Sequence, residues 1–248
     1  MRPLIVGNWK MHGLARQLGE IEAIAMATRT VADYADVLIC LPATLIARAA
    51  LVAAGRVAIG GQDCHSEISG PFTGDISAEM LKDAGASAVI VGHSECRQQH
   101  GETNAMVAAK TSAAWRAGLM PIICIGETLA QRQAGEALAV CAKQLAGSTP
   151  DELGAAALAI GYEPLWAIGN GRIPSPEEIV EVHLHIRECL VARWGEAGKG
   201  VRILYGGSVN PANAREILAL PEVGGALVGG ESLEARHFEA IFRSYAKA

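Results

Sequence analysis

The stretch AVIVG at residues 88–92 is apolar at every position, and the polar residues HSE at 93–95 follow it directly. A strand covered by helices on both faces has this continuous apolar character, whereas a strand with one solvent face alternates apolar and polar residues. The stretch therefore predicts a buried strand of a parallel sheet, with chemically active side chains at its carboxyl end.

Apolar runs of the same kind recur along the chain and predict eight strands, at 4–9, 36–41, 57–62, 88–92, 121–125, 157–163, 202–206 and 225–228. Helical segments alternate with them, at 14–31, 43–54, 77–85, 103–117, 129–146, 176–194, 212–219 and 232–245. Pro176, with Ser175 before it and two glutamates after it, is the strongest helix start. Eight βα units in 248 residues favour an α/β fold, a single-domain (β/α)8 barrel over 1–248; the pattern alone leaves a doubly wound open sheet as the alternative.

Composition narrows the class of protein. Half of the residues are hydrophobic and the formal net charge is -5, so the chain can bury a large core. No segment concentrates lysine and arginine with aromatic residues, which argues against nucleic acid as a partner. The six cysteines form no CxxC pair, which favours free thiols in a reducing compartment. No apolar run approaches the ~20 residues of a membrane span and no signal peptide is evident, so we expect a cytoplasmic protein without membrane contact.

Residues that directly follow the strands of such a barrel line its active-site face. After strands 1, 4, 6, 7 and 8 come Asn8–Lys10, His93–Glu95, Glu163, Gly206–Ser208 and Gly229–Gly230. One lysine, one histidine, two glutamates and two glycine-containing turns would thus meet at one mouth. This set suits acid–base chemistry on a phosphorylated molecule.

Six short stretches in these places carry a family resemblance: GNWKM at 7–11, GHSE at 92–95, CIGE at 124–127, GYEPLWAIGNG at 161–171, YGGSV at 205–209 and LVGG at 227–230. In order and spacing the chain resembles the triosephosphate isomerase family. The resemblance implies a TIM barrel that interconverts D-glyceraldehyde 3-phosphate and dihydroxyacetone phosphate through an enediolate, in glycolysis and gluconeogenesis. It implies no cofactor and no metal.

The resemblance also implies three catalytic roles. Glu163 is the base that removes a proton from the carbon beside the carbonyl, and His93 polarises that carbonyl as a neutral ring. Lys10 attracts the phosphate and stabilises the enediolate. From the residues alone, Glu163 could equally form a salt bridge at the barrel rim, His93 could be structural and Lys10 could be a surface charge.

Further site residues follow from the same resemblance. Asn8 donates a hydrogen bond to substrate, Glu95 pairs with Lys10, and Ser94 supports the site from behind. Backbone N–H groups grip the phosphate in turns where glycine allows close approach. The residues expected to supply them are Gly169, Ser208, Gly229 and Gly230.

Two loops complete the prediction. The segment 164–171 resembles the family's lid, which closes over substrate and excludes water; after it, Asn170, Arg172, Ile173 and Pro174 depart from the commonest family pattern. The polar loop 64–76 resembles the family's dimer loop, which places Thr73 beside the partner subunit's active site and implies a homodimer. Nearby departures from the pattern are His12, Asp63, Asp75 and Cys96.

Three other functions remain open at this point. The same machinery could act on a slightly larger phosphorylated ketose. A Schiff-base aldolase would need a buried lysine at a central strand end, where this chain has Glu163. A non-catalytic phosphate-binding protein would have no need of both Glu163 and His93.

His183 and His185 lie two apart on a predicted helix, so they do not face one metal ion.

Overall fold

A computed structural model describes residues 2–155, 157–169 and 172–244 of the chain. Its centre is a closed barrel of eight parallel strands in sequence order. The strands are β1 Leu4–Asn8, β2 Asp36–Cys40, β3 Ala58–Gly61, β4 Ala88–Val91, β5 Met120–Ile125, β6 Ala159–Tyr162, β7 Arg202–Tyr205 and β8 Gly225–Val228. The predicted barrel is confirmed, and the open-sheet alternative is wrong because β1 pairs with β8 as well as with β2.

The side chains of the strands divide into two cores, which explains why the strands are apolar throughout. Alternate residues such as Leu4, Val6 and Ile90 fill the barrel interior. Their neighbours, such as Ile5 and Val89, pack outward against the helices. Successive strand residues point to opposite faces, so both faces must be apolar when both are covered.

The helices surround the barrel. In the described residues they are α1 Leu18–Ala27, α2 Ala43–Ala53, α3 Ala78–Asp83, α4 Ser94–Gln99, α5 Asn104–Arg116, α6 Leu129–Gln133, α7 Ala137–Ser148, α8 Pro176–Trp194, α9 Glu196–Lys199, α10 Ala214–Leu218 and α11 Ala235–Arg243. Single 3-10 turns cover Ala15–Gln17, Thr28–Thr30, Leu165–Ala167 and Gly230–Leu233. No helix among the described residues has both the length and the apolar character that a bilayer span requires.

Most differences between predicted and observed helices have local causes. The predicted helix 176–194 is confirmed at both ends, and it begins with a capping box between Ser175 and Glu178. The predicted helix 129–146 is wrong as one element, because Gly135 with φ +74° breaks it into α6 and α7. The prediction 14–31 is likewise divided, with 3-10 turns on either side of α1. The prediction 232–245 begins too early, and residue 245 lies outside the described residues.

A histidine buried between α8 and the sheet is unrelated to the barrel mouth. The Nδ1 atom of His183 lies 3.1 Å from the carbonyl oxygen of Glu222, so Nδ1 carries the proton and donates it. Its Nε2 atom is buried and has no hydrogen-bond partner among the described residues. Burial lowers the pKa of His183 from 6.5 to about 4, so the ring is neutral in the folded protein.

We therefore predict that His183 makes the protein less stable in acid. Above pH 6.5, the pKa of His183 in the unfolded chain, the ring is neutral in both the folded and the unfolded protein. As the pH falls from 6.5 towards 4, the ring takes a proton only in the unfolded protein, so the free energy of unfolding decreases. The full loss from this one residue is about 3 kcal/mol. Urea unfolding at fixed protein concentration, between neutral pH and the acid range, should show a shallower pH dependence for His183→Gln than for the unchanged protein.

His185→Gln is the matched control, since His185 lies two residues further along the same helix and is partly exposed. It should leave the pH dependence unchanged. Equal slopes for the unchanged protein and the His183→Gln variant would contradict the prediction.

Candidate active site

A cavity of about 290 Å³ opens at the carboxyl ends of the strands. It is lined by side chains from the loops after β1, β4, β6, β7 and β8, which the parallel topology brings to one end of the barrel. The predicted residues that line it are Asn8, Lys10, His93, Glu163, Gly169, Ser208, Gly229 and Gly230. Ser94 and Glu95 stand behind this wall and contact its side chains.

Glu163 directly follows β6 and is almost wholly buried. Its Oε1 atom lies 2.9 Å from Nε2 of His93, and its Oε2 atom accepts a hydrogen bond of 3.1 Å from the backbone N–H of Ser94. Both carboxylate oxygens are therefore satisfied, as a buried carboxylate requires. A buried carboxylate and an imidazole in direct contact can exchange a proton with a molecule in the cavity.

The backbone around His93 determines which ring nitrogen carries a proton. Gly92, with φ +66°, turns the chain out of β4, and His93 caps the amino end of α4. Its Nδ1 atom accepts the backbone N–H of Glu95 at 3.2 Å. Since Nδ1 is an acceptor, the proton of the neutral ring lies on Nε2, between His93 and Glu163.

The pKa values of this pair are set mainly by burial and by each other. Burial raises the pKa of Glu163, but His93, the Ser94 N–H and the Lys10 ammonium together hold that pKa below its usual value. Burial lowers the pKa of His93, but the carboxylates of Glu163 and Glu95 raise it more, so the pKa lies above its usual value. Glu163 is thus ionised at neutral pH.

Lys10 occupies an unusual backbone conformation. Its φ is +53°, in the left-handed region that a side chain other than glycine rarely adopts. The Oδ1 atom of Asn8 accepts its N–H at 3.0 Å, and Nε2 of Gln62 donates to its carbonyl at 2.9 Å. Gln62 also lies 3.1 Å from Oδ1 of Asn8, so it ties the two residues of this loop together.

The ammonium group of Lys10 is held from the side of α4. Its Nζ atom lies 2.6 Å from Oε1 of Glu95, so the expected ion pair is present. The pair is only partly buried, which leaves Lys10 at the edge of the cavity with a fixed position and a positive charge.

Arg97 lies in α4, and its side chain holds the turn that precedes this helix. Its Nε atom donates to the carbonyl of Gly92 at 2.8 Å, and its guanidinium also contacts the carbonyl of Cys124 at 3.2 Å. Further hydrogen bonds reach Asn104 and Ser148. A partly buried guanidinium thus joins the ends of β4 and β5 and fixes the turn that carries His93.

The rest of the cavity wall is built from glycine-containing turns. Gly206 lies so close to Glu163 that a Cβ atom there would be 2.9 Å from Cγ of Glu163, so only glycine leaves room for that side chain. Gly169 has φ +69°, and Gly229 and Gly230 follow β8 and lead into a 3-10 turn. The wall presents more backbone than side chain to the cavity.

The segment after Glu163 is anchored at its start. Nε1 of Trp166 donates to Oε1 of Glu127 at 2.9 Å, and the hydroxyl of Tyr162 reaches the same oxygen at 3.2 Å. Burial raises the pKa of Glu127, although these two hydrogen bonds act in the opposite direction. The hydroxyl of Ser208 donates to the carbonyl of Ala167 at 2.9 Å. Of the predicted lid, residues 170 and 171 lie outside the described residues.

One group of metal-ligating side chains lies outside the cavity. Asp63, Cys96 and Glu102 bring ligand atoms within 4.8 Å of one another. The ammonium of Lys110 is 2.7 Å from both carboxylate oxygens of Asp63 and also contacts Glu102. A lysine thus occupies the position that a cation would take, and the group forms a local ion-pair network.

Sequence reasoning missed three residues that hold this site. Gln62, Arg97 and Glu127 act through contacts with residues far away in the chain. Glu127 lies in the quoted stretch at 124–127 and follows β5, so the strand-end rule could have indicated it.

The fold and the cavity together define the class: a (β/α)8-barrel enzyme with a carboxylate, an imidazole and a lysine at the ends of its strands. The family model described as triosephosphate isomerase matches residues 3–245. The triosephosphate isomerase of Afipia carboxidovorans is 59% identical over 242 residues, which cover 97% of this chain and 96% of that protein. That of Hyphomonas neptunium is 57% identical, with 98% of each chain covered.

A solved structure agrees with these relatives. The crystal structure of triosephosphate isomerase from Bartonella henselae is 47% identical, with a TM-score of 0.93 and full coverage of both chains. The chain belongs to the triosephosphate isomerase family and is an isomerase.

The His93–Glu163 contact generates a prediction that NMR can check. Replacing Glu163 with glutamine removes the main contact that raises the pKa of His93, and burial then prevails. The pKa of His93 should therefore be lower in Glu163→Gln than in the unchanged protein, measured by titrating the ring signals. Glu231→Gln is the matched control, because Glu231 also lines the cavity but pairs with His237. An unchanged or higher pKa in Glu163→Gln would contradict the assignment.

Proposed function

We propose that this chain interconverts D-glyceraldehyde 3-phosphate and dihydroxyacetone phosphate by proton transfer through an enediolate. The observation that carries the proposal is the buried contact between Glu163 and His93 at a cavity whose edge holds the Lys10 ammonium. Isomerisation of an aldose to a ketose needs a base beside a carbon and an acid beside an oxygen, and this pair supplies both.

Glu163 is the proposed base. It takes the proton from the carbon next to the carbonyl; the electron pair of that C–H bond forms the C=C bond of the enediolate, and the π pair of the carbonyl moves to the oxygen. It then returns the proton to the neighbouring carbon, which completes the isomerisation. Glu163 is held by His93 and Ser94 in the free protein, so it must turn towards substrate when substrate binds. The absence of a side chain at Gly206 leaves space for this movement.

His93 is the proposed acid. Family membership implies a neutral ring in this role. The contact with Glu163 that raises the pKa of His93 is lost once Glu163 turns towards substrate, and burial then favours the neutral ring. The hydrogen bond from the Glu95 N–H to Nδ1 supports it, because protonation of Nδ1 would break that bond. Nε2–H is then free to donate to the substrate oxygens once Glu163 has turned away, and it can move a proton between the two oxygens of the enediolate.

Other groups stabilise the negative charge of the intermediate and of the phosphate. Lys10 lies at the edge of the cavity and offers positive charge to the enediolate and to the phosphate. Because Oδ1 of Asn8 is occupied by the Lys10 N–H and Gln62, its amide nitrogen is left to donate to substrate. We infer that backbone N–H groups grip the phosphate at Gly169, Ser208, Gly229 and Gly230.

The segment from Pro164 onward is the proposed lid. The contacts of Trp166 with Glu127 and of Ser208 with Ala167 hold its first half against the barrel. A closed lid excludes water, which strengthens the electrostatic interactions inside and prevents loss of phosphate from the enediolate.

The ion pair argues against the aldolase alternative. A Schiff-base lysine must be an uncharged nucleophile, whereas the Lys10 ammonium lies 2.6 Å from the Glu95 carboxylate. The small cavity of about 290 Å³ also suits a triose phosphate better than a larger sugar.

We further propose a homodimer formed through loop 64–76. A hydrogen bond of 2.8 Å between the His65 N–H and the Ile76 carbonyl closes the base of this loop, which extends outward and exposes Ile68 and Phe72. Met11, beside Lys10, is 95% exposed. Exposed apolar side chains on a projecting loop and next to the site fit a partner surface.

All six cysteines are free thiols, which supports the expected cytoplasmic location.

The role of Glu163 leads to a kinetic prediction. Glu163→Asp withdraws the carboxylate by one methylene group and should lower kcat by about 100-fold or more, because misplacement of about 1 Å has effects of this size. KM should change far less, since phosphate binding does not use Glu163. A coupled isomerase assay with glyceraldehyde 3-phosphate measures both constants.

Glu231→Asp shortens another carboxylate at the same cavity and serves as the control. Its kcat should stay close to that of the unchanged protein. If Glu163→Asp keeps a normal kcat, another residue is the base.

The dimer proposal leads to an assembly prediction. Deleting about half of loop 64–76 above its hydrogen-bonded base should give monomers in light scattering, with little isomerase activity, because the loop would no longer support the partner's Lys10 region. Leu51→Asp, which removes an 81% exposed apolar side chain from α2, is the control and should stay dimeric. A dimer that survives the deletion would place the interface elsewhere.

A further inference from the structure

A second cavity, of about 510 Å³, lies at the opposite end of the barrel. Its walls come from the amino ends of the strands, among them Leu4 of β1, Ala58 of β3 and Arg202 of β7. The chain segments after α1 and α2 close it at the sides. We call this cavity the amino-end groove. It shares no residue with the active-site cavity or with loop 64–76.

The charge of the groove is opposite in sign to that of the whole protein. Four arginines and one aspartate line it: Arg2, Arg29, Arg56, Arg202 and Asp36. The chain as a whole has a net charge of -5. A concave surface with a local positive surplus attracts anions even when the net charge is negative.

Asp36 forms ion pairs with only two of the four arginines in the groove. Nε of Arg2 lies 3.2 Å from Oδ1 of Asp36, and Nη1 of Arg202 lies 2.8 Å from Oδ2. Among the described residues, Arg56 has no carboxylate partner, and Arg29 has neither a hydrogen bond nor an ion pair. Two guanidinium groups in one groove are therefore left without a counter-ion from the protein.

Two guanidinium N–H groups also face poor acceptors. Nη2 of Arg202 is 3.3 Å from the sulfur of Met120, and Nη1 of Arg56 is 3.3 Å from the sulfur of Met26. A thioether is a weak acceptor, and anionic oxygens accept far better from guanidinium. The side chain of Arg202 is only 15% exposed, so its contacts with a ligand would be little weakened by water.

We propose that the amino-end groove binds a small molecule with a diphosphate group. The planar guanidinium fork matches phosphate oxygens, and a diphosphate carries enough negative charge to balance the surplus. The walls between the arginines are apolar, with Leu4, Ala32 and Ala58, so they can accept an organic portion attached to the diphosphate. Two sources share this chemistry: inorganic pyrophosphate and a nucleoside diphosphate.

Isothermal titration with inorganic pyrophosphate and with ADP tests the proposal. The active site is first filled with glycerol 3-phosphate, which carries phosphate but no carbonyl. We expect one site per chain, with an affinity that falls as salt is added, because Arg29 and Arg56 are exposed. Tighter binding of ADP than of pyrophosphate assigns the apolar wall to the organic portion; equal binding assigns the site to the diphosphate alone.

Arg29→Glu locates the site. Arg29 has no contact that folding would lose, and we expect the reversal of its charge to weaken binding about tenfold or more. Arg48→Glu is the matched control, since Arg48 is exposed on α2 outside the groove and should bind like the unchanged protein. Equal affinities in the two variants, or no binding with the active site filled, would overturn the proposal. The comparison of the two variants does not depend on the isomerase activity.

Discussion

The pairing of β1 with β8 is the constraint on which the active-site mouth depends. It joins the first strand to the last, in the register Leu4 with Gly225 and Val6 with Leu227, and so brings Lys10 to the glycine turn after β8. A Cβ atom on Gly229 would lie 3.7 Å from Cε of Lys10. In an open sheet these residues would lie at opposite edges, and no cavity would combine the lysine with that turn.

Within the closed barrel, a chain of polar contacts crosses the mouth from β1 to β6. It runs from Lys10 to the side chain of Glu95, from the Glu95 N–H to His93, and from His93 to Glu163. Each charged or polar group is placed by its neighbour, which limits the cost of removing them from water. The left-handed backbone of Lys10 costs of order 1 kcal/mol or more, and the hydrogen bonds from Gln62 and to Asn8 offset it.

Strand apolarity and helix capping predicted most element boundaries to within a few residues, but by themselves they left a doubly wound open sheet as the alternative to the barrel. The start of the helix at Pro176 was predicted because Ser175, Pro176 and Glu178 act locally. The break at Gly135 was missed because a glycine inside an amphipathic segment does not by itself show whether its φ is positive. The strand-end rule found the residues that line the cavity, but the supports from Gln62 and Arg97 depend on tertiary contacts, which the rule does not address.

The two ends of the barrel offer anions different kinds of hydrogen-bond donor. At the carboxyl mouth, helix amino ends and backbone N–H groups favour negative charge, so a phosphate needs few cationic side chains. At the amino mouth the helices end, and their carbonyls repel anions; Arg56 donates to two of them, at Val52 and Ala53. An anion held there must depend on arginine side chains, which come from positions as distant as 2, 29, 56 and 202. Each of those arginines is ordinary in its local sequence, and only the closed barrel makes them a group.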